Sequence, residues 1–295
     1  MTVGVTLRDL STLDEYKACV TLQEETWGVG FSERVPTAIL KVAQSLGGVA
    51  AGAFRSDGRL DGFVFGMTGL ADSGEVVHWS DMLAVRSGAT GSGLATRLKA
   101  FQRSRVMERG VRRMLWTFDP LRARNAHLNL NKLGAVVREY RPDMYGDTDS
   151  ALHRGIGTDR FVALWLLDSD RVAERLGRAL GAEVDGTAGP PGVEDPTDAP
   201  AALTAVGPPG APRPGVRRLG LDHARVRVSI PADIGAMMER DPALAAAWRA
   251  ATREVFTHYL ERGYQVVDLD RADDAAPAYL LSPTATHPSD REDHP

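Results

Sequence analysis

The chain has 295 residues, 43% hydrophobic and 25% charged, with a formal net charge of −4, a composition ordinary for a globular protein of one large or two modest domains. The weak negative charge argues against nucleic acid or an anionic membrane as the main partner, and no run is long and apolar enough to span a bilayer. A single cysteine, Cys19, excludes an intramolecular disulfide and a cysteine-only metal site; no signal-peptide pattern stands in Met1 to Leu10, so the cytoplasm is the expected compartment, with no metal.

Val3, Val5 and Leu7 alternate with small or polar residues and predict a first strand. Thr12-Leu13-Asp14-Glu15 has capping-box spacing and opens a helix to about Glu25, in which Cys19 is expected to be a buried structural thiol. Pro36 fits the first position of a second helix, closed by Gly47-Gly48. Val49 to Phe54 and Leu60 to Phe65 flank Ser56-Asp57-Gly58-Arg59, a hairpin signal. Val76 to Val85 is apolar and β-prone, and predicts a largely buried strand. Leu94 to Arg109 predicts a helix, with Leu94, Leu98, Phe101 and Arg105 one turn apart and Ala95 and Val106 near that face. A strand at Arg113 to Phe118, a short helix at Asn125 to Leu133 stopped by Gly134, and strands at Val136 to Tyr140 and Phe161 to Leu167 follow.

Beyond a helix at Arg171 to Leu180, Pro and Gly interrupt the chain every few residues from Gly186 to Gly215, so Asp168 to Gly215 is expected to be a linker. Arg225 to Pro231 predicts a strand. Pro231 to Arg240 and Ala243 to Arg262 predict helices, the second with Leu244, Trp248, Ala251, Val255 and Tyr259 at helical spacing. Val266 to Leu269 and Ala278 to Leu281 predict short strands before a polar tail. The expected domains are 1–167, a linker 168–215, a smaller α/β part 216–282 and a tail 283–295.

The most informative stretch joins the Val76 strand to the Leu94 helix through Gly88, Gly91 and Gly93. Such a turn aims free backbone N–H groups and the positive helix end at one point, which makes an anion cradle. Gly88 to Gly93 has P-loop spacing, but Leu94 stands where the Lys must be. A dinucleotide fingerprint starting at Gly91 would need its third Gly at Thr96. The stretch resembles motif A of the GNAT superfamily of acyl-CoA-dependent N-acyltransferases: Val85, Gly91, Gly93, Leu94 and Ala95 match, while Ser87 replaces the usual Pro and Thr90 the usual Arg or Gln. The order β-α-α-β-β-β-α-β-α-β-β is also that of the superfamily. Asn125-Ala126 and Lys132-Leu133-Gly134 resemble its motif B, with Leu130 where many members carry a Tyr that protonates the departing thiolate.

A closer resemblance is carried by Trp116-Thr117-Phe118-Asp119-Pro120-Leu121, Asn125-Ala126, Asn129, Lys132-Leu133-Gly134 and Tyr140 to Gly146. These are similar to a bacterial GNAT subfamily with a C-terminal extension, some members of which acylate or succinylate amino acids. The helix, Gly-Tyr, strand, strand pattern after Ala243 resembles half of such a domain without its phosphate turn. The resemblance implies an α+β fold: a GNAT-type mixed sheet flanked by helices, a Pro/Gly-rich linker and a smaller C-terminal α/β half-domain. It implies an acyl-CoA co-substrate, acetyl-CoA or succinyl-CoA, and a small-molecule amine acceptor, an amino acid being a natural candidate. The alternative is a catalytically degenerate relative that binds CoA or a partner. A homodimer through an exposed sheet edge is a reasonable expectation.

Acyl transfer from a thioester to an amine assigns roles. The pyrophosphate of CoA would rest on the amides of Thr90, Gly91, Ser92, Gly93, Leu94 and Ala95, with Asn125 near the CoA arm or, as the alternative, capping its helix. The amide-bearing arm would pair as an added strand with Leu83, Ala84 and Val85, provided that the Val76 strand parts from the Arg113 strand after about Val85. Trp79, Asp81, Leu83 and Val85 share a face by period two. Where the resemblance places relay histidines, this chain has Trp79 and Asp81; Asp81 is the candidate base or the counter-ion of the acceptor's ammonium. Tyr140 and Tyr145 are candidate acids, with packing as the alternative. Trp27, Phe31, Trp79 and Asp119 are candidate acceptor contacts, Trp79 having core packing and Asp119 turn formation before Pro120 as alternatives. His78 faces the other way and is expected to be structural. Arg122 and Arg124 are candidate carboxylate or phosphate ligands, with solvated surface the alternative.

Overall fold

The computed structural model describes residues 4–146, 156–182, 199–208, 210–273 and 276–284. The chain forms two compact units: Met1–Trp116 with Trp165–Glu183, and Thr117–Leu164 with Val184–Pro295.

The first unit begins with β1 (Val5–Asp9), α1 (Leu13–Trp27) and α2 (Thr37–Ser45). The capping box forms as predicted: the Thr12 hydroxyl accepts from the Glu15 amide and the Glu15 carboxylate accepts from the Thr12 amide. Pro36 is the N-cap of α2 rather than its first residue. β2 (Val49–Arg55) and β3 (Leu60–Leu70) form the expected hairpin, Gly58 supplying the left-handed residue of its turn at φ +85°. β4 (Val76–Val85), α3 (Leu94–Met107) and the start of β5 (Arg113–Phe118) follow, and α5 (Asp170–Ala179) returns to this unit. The sheet is mixed: β1, β2, β3 and β4 are antiparallel in order, and β4 pairs with β5 in parallel. One face buries Tyr16, Cys19, Leu22 and Leu40 against Phe63, Phe65, Met82 and Ala84.

One irregularity in β4 shapes everything near it. Phe65 pairs with Met82, but Met67 pairs with Trp79, so β4 spends three residues where β3 spends two. The extra residue is a β-bulge at Ser80–Asp81. Before it, His78 and Ser80 turn toward α3, where Gln102 meets both. After it, Met82 and Ala84 join the core on the opposite side, and Val85 lies toward Leu98 of α3. Trp79 therefore does not share a face with Leu83 and Val85, correcting the period-two expectation: one inserted residue reverses the parity of a strand.

The inward face of α3 is also turned from that expected. Leu94, Leu98, Lys99, Gln102 and Val106 are buried while Phe101 and Arg105 are half-buried. Thr96 is buried as well, and Lys99 and Gln102 point inward because Ser80 and His78 need partners there.

The second unit contains the end of β5, a four-residue α4 (Ala123–Ala126), β6 (Val136–Arg141), most of β7 (Arg160–Leu166), β8 (Ala201–Val206), β9 (Arg213–Arg217), β10 (Val226–Ser229), α6 (Ile234–Arg240), α7 (Pro242–Glu261), β11 (Tyr264–Asp270) and β12 (Ala278–Pro283). Residues His127–Lys132 continue α4 as a π-helical turn. Its strand order is β5-β7-β6-β11-β12-β10-β8-β9. β7 inserts between β5 and β6, and β12 inserts between β10 and β11, antiparallel to both. The C-terminal stretch thus repeats the strand-helix-strand-strand order of β5 to β7. Each unit is mixed α and β, and the chain is α+β.

β8 and β9 lie in the stretch expected as a linker. Ala201 to Val206 is a short apolar run between Pro200 and Gly207, long enough for a strand and parallel to β10. β9 carries Pro214 and Gly215 because it is an edge strand, bonded on one side by β8 alone. The tail beyond Thr284 and residues 183–198 of the expected linker lie outside the described residues.

Trp248 of α7 is fully buried and donates its indole N–H to the Pro212 carbonyl at 2.8 Å. Trp248→Ala should lose about 3–5 kcal/mol of stability, read as a lowered urea midpoint; a loss under ~1 kcal/mol would mean that 200–217 is not anchored on α7.

Candidate functional site

The bulge coincides with the end of β4–β5 pairing. The parallel register comprises Val77↔Arg113, His78↔Met114 and Trp79↔Leu115 and stops there among the described residues. The strands part after Trp79, six residues earlier than expected. On its other edge β4 stays paired with β3 to Val85, and the Arg86 amide donates to the Asp61 carbonyl at 2.9 Å. Antiparallel pairs alternate between bonded and non-bonded. Arg86, Ala84 and Met82 therefore bond to β3, and Leu83 and Val85 direct their N–H and C=O to the edge that β5 has left. Ala84, expected beside them, has its backbone committed to β3.

Beyond Val85 the chain makes a short 3-10 turn at Ser87–Ala89 and enters α3 through Gly91 and Gly93, left-handed at φ +85° and +77°. Gly93 is the N-cap, and no side chain caps the helix. Thr90 and Ser92 turn their hydroxyls back to the carbonyls of Arg86 and Ala89. The amides of Thr90 and Ser92 are taken by Ser87 and Ala89 carbonyls. The amides of Gly91, Gly93, Leu94, Ala95 and Thr96 have no acceptor among the described residues, and the first turn of α3 holds no acidic side chain. A Cβ placed on Gly88, Gly91 or Gly93 would meet nothing within 4 Å, so the space in front of the turn is open. Five donors therefore point out of the turn: Thr90 and Ser92 leave the expected set and Thr96 joins it, in the arrangement by which helix N-termini can receive an anion.

Asp81 leaves the bulge with its carboxyl open to solvent, yet enough protein surrounds it for desolvation to raise its pKa above the ordinary carboxylate range. The Trp79 side chain hydrogen-bonds it and pulls the other way, while the charge of Glu33 adds to the rise. Neither carboxylate has an ion-pair partner among the described residues, whereas the nearby cations Arg34 and Arg86 are spent on Glu24 and Glu25. Trp27 stacks on Phe31 at 5.5 Å and meets Phe63 edge-on at 6.4 Å. The loop after α1 thus brings Phe31 and Glu33 to the same unit as Trp79 and Asp81. Glu33 was missed in the sequence; its only signal was its place in the Phe31 loop.

The candidates of the second unit are more committed. Asp119 is buried; its Oδ1 accepts from the Leu121 amide and from Arg249 Nη2, each at 2.8 Å. The first bond is the turn expected before Pro120, and the second is a buried ion pair. Tyr140 donates its hydroxyl to Asp159 and packs its ring on Phe161 and Phe256. Burial, followed by the Asp159 charge, raises its pKa. The Tyr145 hydroxyl lies 2.9 Å from Thr117 Oγ1, with the Arg160 guanidinium over its ring. Asn125 is exposed inside α4, where Arg122 holds the cap position; its capping alternative is therefore not realised. Arg122 lies against Gly235, and Arg124 is exposed. Leu130 is fully buried. A cleft of 840 Å³ along α7 is lined by none of the expected site residues.

Cys19 is buried and its thiol is pushed up to about 12 by burial, as a structural thiol should be. Among the described residues no group of His, Cys, Asp and Glu could hold a metal ion, and no helix is long and apolar enough to cross a membrane.

No family model and no curated protein matches the chain. Among solved structures it is similar to a GNAT superfamily phosphinothricin acetyltransferase from Sinorhizobium meliloti in complex with AcCoA, at 16% identity and TM-score 0.43, covering 54% of this chain and 86% of that one. It is similar to an acetyltransferase of GNAT family from Streptococcus pneumoniae, at 17% identity and TM-score 0.44, covering 55% and 99%. The ribosomal-protein-S18-alanine N-acetyltransferase from Escherichia coli aligns at 16% identity and TM-score 0.43, covering 56% and 96%.

His78 is fully buried between Thr68 Oγ1 at 2.9 Å and Gln102 Nε2 at 3.0 Å, and desolvation holds its pKa down to about 3. The unfolded ring titrates near ~6.5. Between those values the unfolded chain binds more protons, so this contribution to stability is whole above pH ~6.5 and is lost as pH falls toward 3. NMR of the ring should show no titration near neutrality. A midpoint near 6.5 would mean that the ring is not held in this way.

Proposed function

We propose that the chain is an acyl-CoA-dependent N-acyltransferase, moving an acetyl or succinyl group to the amine of a small molecule in the cytoplasm. The observation that carries this reading is the succession, within one unit, of an open β4 edge at Leu83 and Val85 and five unclaimed amides at Gly91 and Gly93–Thr96. An acyl-CoA presents the two complementary groups in the same order: a chain of amides that can extend a sheet edge, and a pyrophosphate that needs N–H donors. We extend the proposal to the GNAT subfamily with a C-terminal extension; the repeated strand order of β10 to β12 supports it.

The chemistry then follows from charge. The acceptor reaches the site as an ammonium and must lose a proton before it attacks. Asp81, with a raised pKa and an open carboxyl, is suited to take it. The amine nitrogen then bonds to the thioester carbon. The oxygen gains negative charge, which a β4 edge amide stabilises; as the intermediate collapses the carbon–sulfur bond breaks and the nitrogen gives its second surplus proton to water. The Tyr140 hydroxyl is committed to Asp159, so the thiolate leaves toward solvent. Among the described residues Asp81 and Glu33 make no ion pair, and Phe31, in the loop that carries Glu33, stacks on Trp27 at the end of α1. This charge favours acceptors with an additional cation over those with an additional carboxylate, so diamines belong in the screen beside amino acids.

A second reading, a CoA-binding protein without transfer activity, is favoured by the same commitment of Tyr140 and by the burial of Leu130 in place of a Tyr. Acetyl-CoA or succinyl-CoA at ~100 times its dissociation constant should stabilise the protein by ~2.7 kcal/mol. Gly93→Val, which strains the left-handed N-cap, should abolish that shift. No shift with any CoA would end both readings; a shift without turnover of any amine would leave the second.

Asp81→Asn should keep the CoA shift and lower kcat by ~10²-fold or more. Wild-type kcat should rise with pH through an apparent pKa above the ordinary carboxylate range, a rise absent from the variant. Normal turnover by Asp81→Asn would remove Asp81 from the mechanism.

A further inference from the structure

A lysine with no carboxylate lies directly behind the bulge. Lys99 of α3 is 2% exposed and makes no ion pair among the described residues. Its Nζ donates to Ser80 Oγ at 2.8 Å and Gln102 Oε1 at 3.3 Å, and lies 3.5 Å from Met114 Sδ of β5. It sits 3.8 Å from the centre of the Trp116 ring and 5.5 Å from that of Trp165. Ser80 also donates to Gln102 at 2.8 Å, and Gln102 reaches His78, which reaches Thr68. One nitrogen thus touches the bulge, the next turn of the cradle helix and the strand that parts from β4. A methionine would fill the same volume without a polar group to satisfy, so packing alone does not explain a lysine there.

We infer that Lys99 is a positioning residue for acyl transfer, tying Ser80 to α3 and β5 so that the bulge holds Asp81 and the Leu83 and Val85 backbone in one fixed relation to the amide cradle. The inference rests on the proposed acyltransferase reading and adds a residue that touches neither substrate. It has a consequence that ordinary structural residues lack. Burial lowers the pKa of this amine, so its charged form is disfavoured where it sits. Removing it should cost no stability, yet should loosen the site.

The test uses the full chain with Lys99→Met, Ser80→Ala and the double variant. Lys99→Met should melt no lower than wild type and keep its CoA-dependent thermal shift. Its kcat should fall at least tenfold, with KM for acyl-CoA within about twofold. Ser80→Ala should reproduce the fall, and the double variant should be no slower than the worse single one, because both cut one contact. Amide hydrogen exchange across Ser80–Ala84 should quicken in Lys99→Met, a readout that needs no turnover. Unchanged exchange overturns the inference, as does an unchanged kcat in an active enzyme or a kcat loss that tracks a lowered melting temperature. If the wild type transfers no acyl group, the acyltransferase reading fails by itself; faster exchange would then keep only the tie between Lys99 and the bulge.

Discussion

The first unit depends on one inserted residue. A strand bonded along both edges has no free backbone to offer, and a strand at a sheet edge offers all of it. The bulge at Ser80–Asp81 produces neither condition. It lets β4 keep β3 along its whole length and β5 over three residues only. The part released is short, rigid on its far side and followed closely by the glycine turn. Unsatisfied N–H and C=O groups are costly when buried, so such an opening persists where water or a ligand can reach it. The geometry that makes β4 locally incomplete is therefore also what could make it useful.

The polar residues beneath the bulge follow from the same constraint. Reversing the strand's parity puts His78 and Ser80 on the α3 side, where an uninterrupted strand would have carried its alternation on unchanged. Gln102 and Lys99 answer them, which places two long polar side chains, beside the smaller Thr96, in the buried face of a helix that also buries Leu94, Leu98 and Val106. Such a network is tolerable because its members satisfy one another. It also explains why the helix sits rotated from its apolar periodicity: hydrogen-bond partners outweighed the burial of Phe101. The left-handed glycines at the head of the same helix serve the opposite purpose, keeping donors free rather than satisfied.

Much of the fold was legible in the sequence because it is written in local chemistry. The capping box at Thr12, the Ser56–Arg59 turn and the glycines before Leu94 each fix a backbone conformation within a few residues, and each stands where expected. The bulge was not legible, since an extra residue in a strand changes parity without changing composition. The strands β8 and β9 were hidden by Pro and Gly, which exclude a central strand but not an edge. At the site, the glycine turn with its unclaimed amides followed from spacing. The inclusion of Ala84 beside Leu83 and Val85 did not survive the register, because hydrogen-bond direction alternates along a strand. Asp119 and Tyr140 look reactive in a sequence and turn out to be bound to Arg249 and Asp159, partners found more than a hundred residues and about twenty residues away.

The meeting of β6 and β11 has a further consequence. Val137 pairs with Val266, Arg138 donates to Gln265 at 3.1 Å, and Asn131 reaches the Leu269 carbonyl at 3.1 Å. Without the C-terminal stretch, β6 would end its sheet as a bare ladder, open to any passing strand. The chain supplies that neighbour from its own length. A junction made within one molecule forms at a fixed effective concentration set by the tether, so dilution cannot separate it, as it would two subunits. An incoming strand at Val137 would have to displace a neighbour that the chain itself keeps close.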